Sequence, residues 1–401
     1  MESYVVGRKH PDDVVIVSAL RTPMTKGRKG GLKDTEPEYM LSVVLKAVVD
    51  SVGLDPSLVE DIVIGSVLSP GSGATEGRMA MLYAGFPESV SVCGLNRQCA
   101  SGLQAVAQIA QAIRNDTIEI GIGAGVESMT RNYFNTRADK YKYSEDMMKN
   151  PQVQECLIPM GIMSDNVAQE FLVSRREQDE LAVLSHKRAA KAQKLGLFKE
   201  EIVPVETYIL DKDGKKSKVT VIQDDGIRED VSLESLSKLK PAFGKDGTTT
   251  AGTSSQISDG AAAVLLMKRS RAAALGLPII GKYVCSAAIG LPIRILGIGP
   301  VYAVPEALKK ANLSIDDLDI IELNEAFASQ AVYCIKKLGL DINKVNPKGG
   351  AIAIGHPLGT TGARQIATLL TELHRTKKRL GAVTMCAGLG NGMCSIFEAE
   401  Y

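Results

Sequence analysis

The sequence predicts an α/β protein built from two similar halves. Three observations carry this: short apolar runs alternate with segments of helical period, glycines cluster beside β-branched residues, and one helix–turn–strand segment recurs. The strand candidates are residues 13–19, 61–67, 118–125, 261–267, 318–324 and 381–388. The helix candidates are Tyr39–Val52, Gly102–Ile113, Ser174–Leu195, Val304–Ala311, Ala326–Leu338 and Gly362–Leu373. Their alternation predicts buried, mostly parallel sheets. Many of the 38 glycines fall in GIGAG, GIGP, GGAIAIG and AGLGNG, where they suit strand-to-helix turns and close backbone approach.

The recurring segment starts at Val44 and again at Val304, running through a helix, a Leu and an acidic turn into a strand. Asp61-Ile62 matches Asp319-Ile320 at an offset of 258, which carries Cys99 to position 357, one past His356. Each half therefore sets one candidate reagent at the start of a matching helix, and a pseudo-twofold axis would bring the two together. Residues 131–247 break the pattern: they are more charged and read as an insertion covering a ligand site. The expected divisions are 12–130 plus 248–275, 131–247, and 276–401.

With 401 residues the chain can fill two or three cores. Its net charge of +1 gives no general attraction to nucleic acid or anionic membrane. No apolar run approaches the roughly 18 residues of a spanning helix. The N-terminus MESYVVGRKHPDD lacks the apolar core of a signal peptide, and the C-terminus FEAEY is not a Ser-Lys-Leu address. Seven cysteines without a CxxC pair argue against a disulfide framework or a zinc site and fit a reducing compartment.

Cys99 lies in LNRQCASGLQAV, among Asn96, Arg97 and Gln98, where an apolar helix begins. A helix start favours a thiolate, and the polar approach suggests an exposed reagent, although a buried core cysteine fits this segment equally well. Of four histidines, His10 sits in a charged tail, and His186 and His374 fall on polar-faced helices where solvation is expected. His356 alone stands in a Gly/Pro-framed turn, GHPLG, at the position that the repeat pairs with Cys99; a Cys–His pair is the minimal activated nucleophile. Asn324 ends the strand before NEAFASQ and could orient a water, donate to an oxyanion or cap a helix. Cys386 ends a strand in MCAGLGNG, with Gly388 leaving its N–H unobstructed; it suits a proton shuttle or a core filler.

NRQCASG, NEAF, GHPLG and CAG in this order, together with DVVIVSALRTP near the start, resemble the thiolase family over essentially the whole chain, most of all its peroxisomal 3-ketoacyl-CoA type. The resemblance implies a five-layered α-β-α-β-α core from two duplicated βαβαβαββ halves, a loop domain inserted in the first, and a homodimer or tetramer. It implies Cys99 as acyl-accepting nucleophile, His356 as its base, Asn324 as holder of an oxyanion-site water, Cys386 as acid/base and the Gly388 N–H as oxyanion donor. For coenzyme A as co-substrate it implies contacts from Arg228, Ser235, Ser255, Met160, Ala326 and Phe327, with no metal or tightly bound cofactor. The expected compartment is the peroxisome, with cytoplasm or mitochondrion as alternatives, since Arg8-Lys9-His10-Pro11 lacks the spacing and Leu of an N-terminal peroxisomal signal.

Three stretches depart from the family pattern. Thr253-Ser254-Ser255 replaces Asn-Ala-Ser, Gly390-Asn391-Gly392 replaces Gly-Met-Gly, and Pro159-Met160-Gly161 replaces the His-Met-Gly of biosynthetic members. The last favours thiolytic cleavage of 3-ketoacyl-CoA over the alternative, condensation of two acetyl-CoA. An acyl-CoA-binding protein without catalysis is the alternative of a different class.

Overall fold

The computed structural model describes residues 4–133 and 142–401. The extreme N-terminus and part of the predicted insertion, residues 1–3 and 134–141, therefore lie outside the described residues. Among the described residues twelve strands occur in chain order: β1 (Val14–Arg21), β2 (Thr25–Lys26), β3 (Asp61–Gly65), β4 (Ser91–Leu95), β5 (Ile120–Ser128), β6 (Val205–Leu210), β7 (Lys216–Val221), β8 (Ser258–Lys268), β9 (Gly281–Gly290), β10 (Ile320–Leu323), β11 (Leu380–Ala387) and β12 (Asn391–Ala399).

The first half orders its strands β4-β3-β5-β8-β1 and the second β10-β11-β12-β9. Val345 pairs with Ile321 in a single parallel bridge, standing where β4 stands in the first half. Sense matches as well as order. β3 is parallel to β4 and β5, as β10 is to β11, while β5–β8, β8–β1, β11–β12 and β12–β9 are antiparallel. β1 and β9 meet antiparallel at Val15–Lys282 and Ile16–Gly281, joining the halves edge to edge. The expectation of mostly parallel sheets is thus corrected. β11 and β12 are linked by a tight glycine turn that permits only an antiparallel pair, and β8 returns from the far end of the insertion.

Helices Ser101–Arg114 and Thr361–Thr376 pack against each other between strands of both halves. Leu103, Val106, Ile109 and Ile113 lie fully buried on the first, at helical spacing. Each contributes about 1.5–3 kcal/mol by leaving water. Helix Pro37–Asp50 covers the outer face of the first half, and helices Gly299–Ala311 and Ala328–Leu338 cover that of the second. Five layers, α-β-α-β-α, result.

Between these layers and residues 131–247 lies a buried ion network. Arg21 on β1 donates to both Asp224 oxygens at 2.7 and 2.9 Å and to Glu201 at 2.8 Å, and Lys348 reaches Glu201 at 2.9 Å. Thr368 and Thr371 also donate to Glu201 at 2.9 Å. Removing one partner from such a network leaves a buried charge uncompensated, at a cost of about 3–5 kcal/mol.

Candidate active site

Cys99 follows a backbone reversal. Gln98 has φ +49°, and Ser101 holds the turn by accepting from the Arg97 N–H at 2.9 Å and donating to the Gln98 carbonyl at 2.6 Å. The reversal points the thiol inward. Cys99 is only 6% exposed and faces the Gly388 N–H, while Asn96, Arg97 and Gln98 line an open cavity with Gln104, Gln108, Leu389 and Asn391. The expected exposed thiolate is therefore corrected. Burial pushes the thiol up to about 11, against the N–H groups of Gly388 and Cys99 that favour the anion. The sulfur is therefore a thiol at neutral pH and needs a base.

His356 sits just before helix Thr361–Thr376, after Gly355, whose φ of +113° suits glycine. Its Nδ1 lies 2.7 Å from the Thr361 hydroxyl oxygen, and that hydroxyl donates to the Pro357 carbonyl at 3.0 Å. With its one proton so placed, Thr361 accepts, which sets the imidazole proton on Nδ1 and leaves Nε2 with its lone pair. Nε2 lies 3.3 Å from the Asn324 amide nitrogen. Burial, with Arg364 nearby, lowers the imidazole to about 3, so it is neutral over the physiological range.

Asn324 follows β10, tied to β11 by its N–H donating to the Thr384 carbonyl at 2.9 Å. It caps no helix, since the next one begins at Ala328. Its Oδ1 is buried without a protein partner, as a group awaiting water or substrate would be. Glu325 braces this turn, accepting from Ser185 at 2.7 Å, Asn346 at 2.8 Å and the Ile352 N–H at 3.3 Å.

Cys386 lies near the end of β11, within electrostatic reach of Cys99, and burial raises its thiol well above the ordinary value. It lines a small apolar cavity with Met160, Met163, Leu296, Gly297 and Phe327, where Ser164 and Gln330 supply the polar wall. Met160 and Phe327 thus belong to this cavity, and Ala326 is buried beside it. Ser255 joins the same turn, its N–H donating to the Ala326 carbonyl at 3.0 Å.

Arg228 and Ser235 stand apart on exposed ground. The Arg228 N–H donates to His186 Nδ1 at 3.2 Å, and Ser235 closes a capping box with Ser232 at the start of helix Leu233–Ser237. His186 is buried rather than solvated, and burial lowers it to about 4. His374 is also partly buried, with Nε2 2.8 Å from the Ile280 carbonyl. Their helices carry more buried positions than polarity suggested, because helix Ala328–Leu338 and the turn Ala351–Ile354 cover the first, and helix Ser101–Arg114 with strands of both halves covers the second.

The chain matches the family model of the thiolase N-terminal domain over residues 14–270 and that of the C-terminal domain over 277–399. It belongs to the thiolase family. This thiolase is 56% identical over 391 residues to the peroxisomal 3-ketoacyl-CoA thiolase 2 of Arabidopsis thaliana, covering 96% of its own chain and 84% of the relative. It is 53% identical over 387 residues to the peroxisomal 3-ketoacyl-CoA thiolase B of Rattus norvegicus, covering 96% and 91%. Among solved structures it superposes on the dimeric peroxisomal thiolase of Saccharomyces cerevisiae with a TM-score of 0.92, at 48% identity and 98% and 99% coverage. It also superposes on the acetyl-CoA acetyltransferase of Bacillus anthracis with a TM-score of 0.88, at 33% identity and full coverage of both chains.

The structure adds two residues that the sequence does not single out: Thr361, against His356, and Glu127, against the turn that carries it. A hydroxyl five residues after the histidine, and a lone acid near the end of an apolar strand, were the available signals.

Proposed function

We propose that this thiolase cleaves 3-ketoacyl-CoA with CoA to give acetyl-CoA and a shortened acyl-CoA, as in fatty acid β-oxidation. The observation that supports it best is the close backbone contact between the two helix starts that follow Cys99 and His356, beside two buried thiols, Cys99 and Cys386, within electrostatic reach of each other. His356 Nε2 takes the Cys99 proton as sulfur bonds to the 3-keto carbon. The oxyanion is met by donors at Asn324 and His356 or by the N–H groups of Cys99 and Gly388. The Cα–Cβ bond then breaks, and the departing enolate of acetyl-CoA takes the proton of Cys386. In the second half-reaction the Cys386 thiolate accepts the proton of CoA, whose sulfur displaces Cys99; the leaving thiolate recovers its proton from His356. Cys99, His356 and Cys386 all end as they began.

Met160, Ala326, Phe327 and Ser255 suit the acyl and pantetheine ends, while Arg228 and Ser235 suit the nucleotide end. In this reading residues 131–247 form the CoA-binding cover, inserted in a first half of 12–130 plus 248–275, with 276–401 as the second half. The names of the Arabidopsis and rat relatives support the peroxisome as compartment. The dimeric yeast structure, together with the exposed edge of β4, supports a homodimer.

The test is mass spectrometry of the intact protein incubated with a 3-ketoacyl-CoA and no free CoA. An acyl adduct on the Cys99 peptide with release of acetyl-CoA is expected. Binding without an adduct would sink the reading and favour an acyl-CoA-binding protein.

A further inference from the structure

Glu127 is the last residue but one of β5, fully buried, and no step above uses it. One carboxylate oxygen accepts from two backbone N–H groups that belong to different halves: Val67 at 3.0 Å, just beyond β3, and Gly359 at 2.9 Å, closing the turn that carries His356. The other accepts from the Leu68 N–H at 3.1 Å and lies 3.4 Å from the Ser66 hydroxyl. Backbone contacts surround this tie. A Cβ on Gly359 would stand 2.6 Å from the Gly65 carbonyl oxygen and 2.8 Å from Ser66 Cα, and one on Gly125 would meet the Gly359 carbonyl. The turn from the second half is thus inserted, backbone first, between the ends of β3 and β5. The Glu127 carboxyl is also close enough for its charge to act on the Cys99 thiol.

We propose that Glu127 is a positioning residue, holding the His356 turn at a fixed distance from Cys99 through one oxygen shared by the two halves. The proposal rests on the thiolase reading above. The nucleophile and its base come from different halves, and a misplacement of about 1 Å between reacting groups can cost about 100-fold in rate. A carboxylate suits the task because its oxygens can accept several N–H groups at once. A carboxamide of the same shape would set an NH2 group against one of those N–H donors.

The experiment is single-turnover acylation of Cys99 by a 3-ketoacyl-CoA, followed by mass in the wild type and in Glu127→Gln. The expected result is a rate constant at least tenfold lower, with the final acylated fraction and the substrate KM within about twofold of wild type. A variant that acylates at the wild-type rate constant but to a smaller final fraction would show a structural role only and overturn the proposal. Should Glu127→Gln fail to fold, Glu127→Asp, which keeps the charge but withdraws it by one methylene, is expected to show the same slow acylation. An unchanged rate constant in that variant would likewise overturn the proposal. A wild type that never acylates would remove the thiolase reading, and the positioning role with it.

Discussion

The carbonyl oxygen of Gly359 lies 2.6 Å from where a Cβ would stand on Gly102. Gly102 is in the first turn of the helix that follows Cys99, and Gly359 is three residues past His356. The two candidate reagents are therefore registered by backbone against backbone, with no side chain between to yield.

Gly102→Ala tests this. In a helix, alanine in place of glycine ordinarily stabilises by about 1 kcal/mol. Here the new methyl must displace the Gly359 turn, and a destabilisation of about 1–3 kcal/mol is expected instead. Urea denaturation gives the sign. A more stable variant would show that the two helix starts can part without cost.

Thr361→Val should slow acylation of Cys99 by about 10- to 100-fold, because the imidazole loses the acceptor that keeps its proton on Nδ1. Thr361→Ser retains the acceptor and should stay within about threefold of wild type. Nitrogen chemical shifts of labelled His356 read the tautomer directly. A valine variant with unchanged tautomer and rate would remove Thr361 from the mechanism.

Glu201 makes acid stability predictable. Burial alone would raise its carboxyl, but Lys348 and Arg21 bring it down to about 2. A carboxyl held lower in the folded than in the unfolded chain stabilises fully above the unfolded value, near 4.5, and the gain is lost as pH falls towards 2. That contribution is on the order of 3 kcal/mol. Urea midpoints from pH 7 to pH 2 should fall most steeply below pH 4.5, and Glu201→Gln should be less stable at pH 7 with a flatter decline. Parallel curves for the two proteins would contradict the assignment.

The sequence revealed most where residue types are scarce. With four histidines and seven cysteines, a Gly/Pro-framed His356 and a helix-start Cys99 stand out, and the 258-residue offset pairs them. Most strands buried on both faces announce themselves as apolar runs, but β12 does not, because Ser395 and Glu398 interrupt it although both are buried. The edge strand Ser91–Leu95 does not either, because two of its five residues are exposed and none is fully buried. Thr361 and Glu127 were invisible for another reason: threonine and glutamate are common, and only the Pro357 carbonyl or the Gly359 N–H gives them meaning. Asn96, Arg97 and Gln98 make an exposed Cys99 as plausible in the sequence as a buried one. The left-handed turn at Gln98 sends them to one side of the loop and the thiol to the other.

The strand order has a consequence for synthesis. Apart from a single bridge from Arg21 to Ile202, the strands that β1 pairs with among the described residues are β8 and β9, both of which lie more than about 230 residues downstream. A ribosome adding about 5–20 residues per second leaves Val14, Val15, Ile16 and Val17 without strand partners for roughly ten to fifty seconds. During that interval the nascent chain carries an unpaired apolar strand, a hazard that chaperones exist to shield. The first half of the molecule is thus the first to be made, yet its sheet closes only after the covering insertion has emerged.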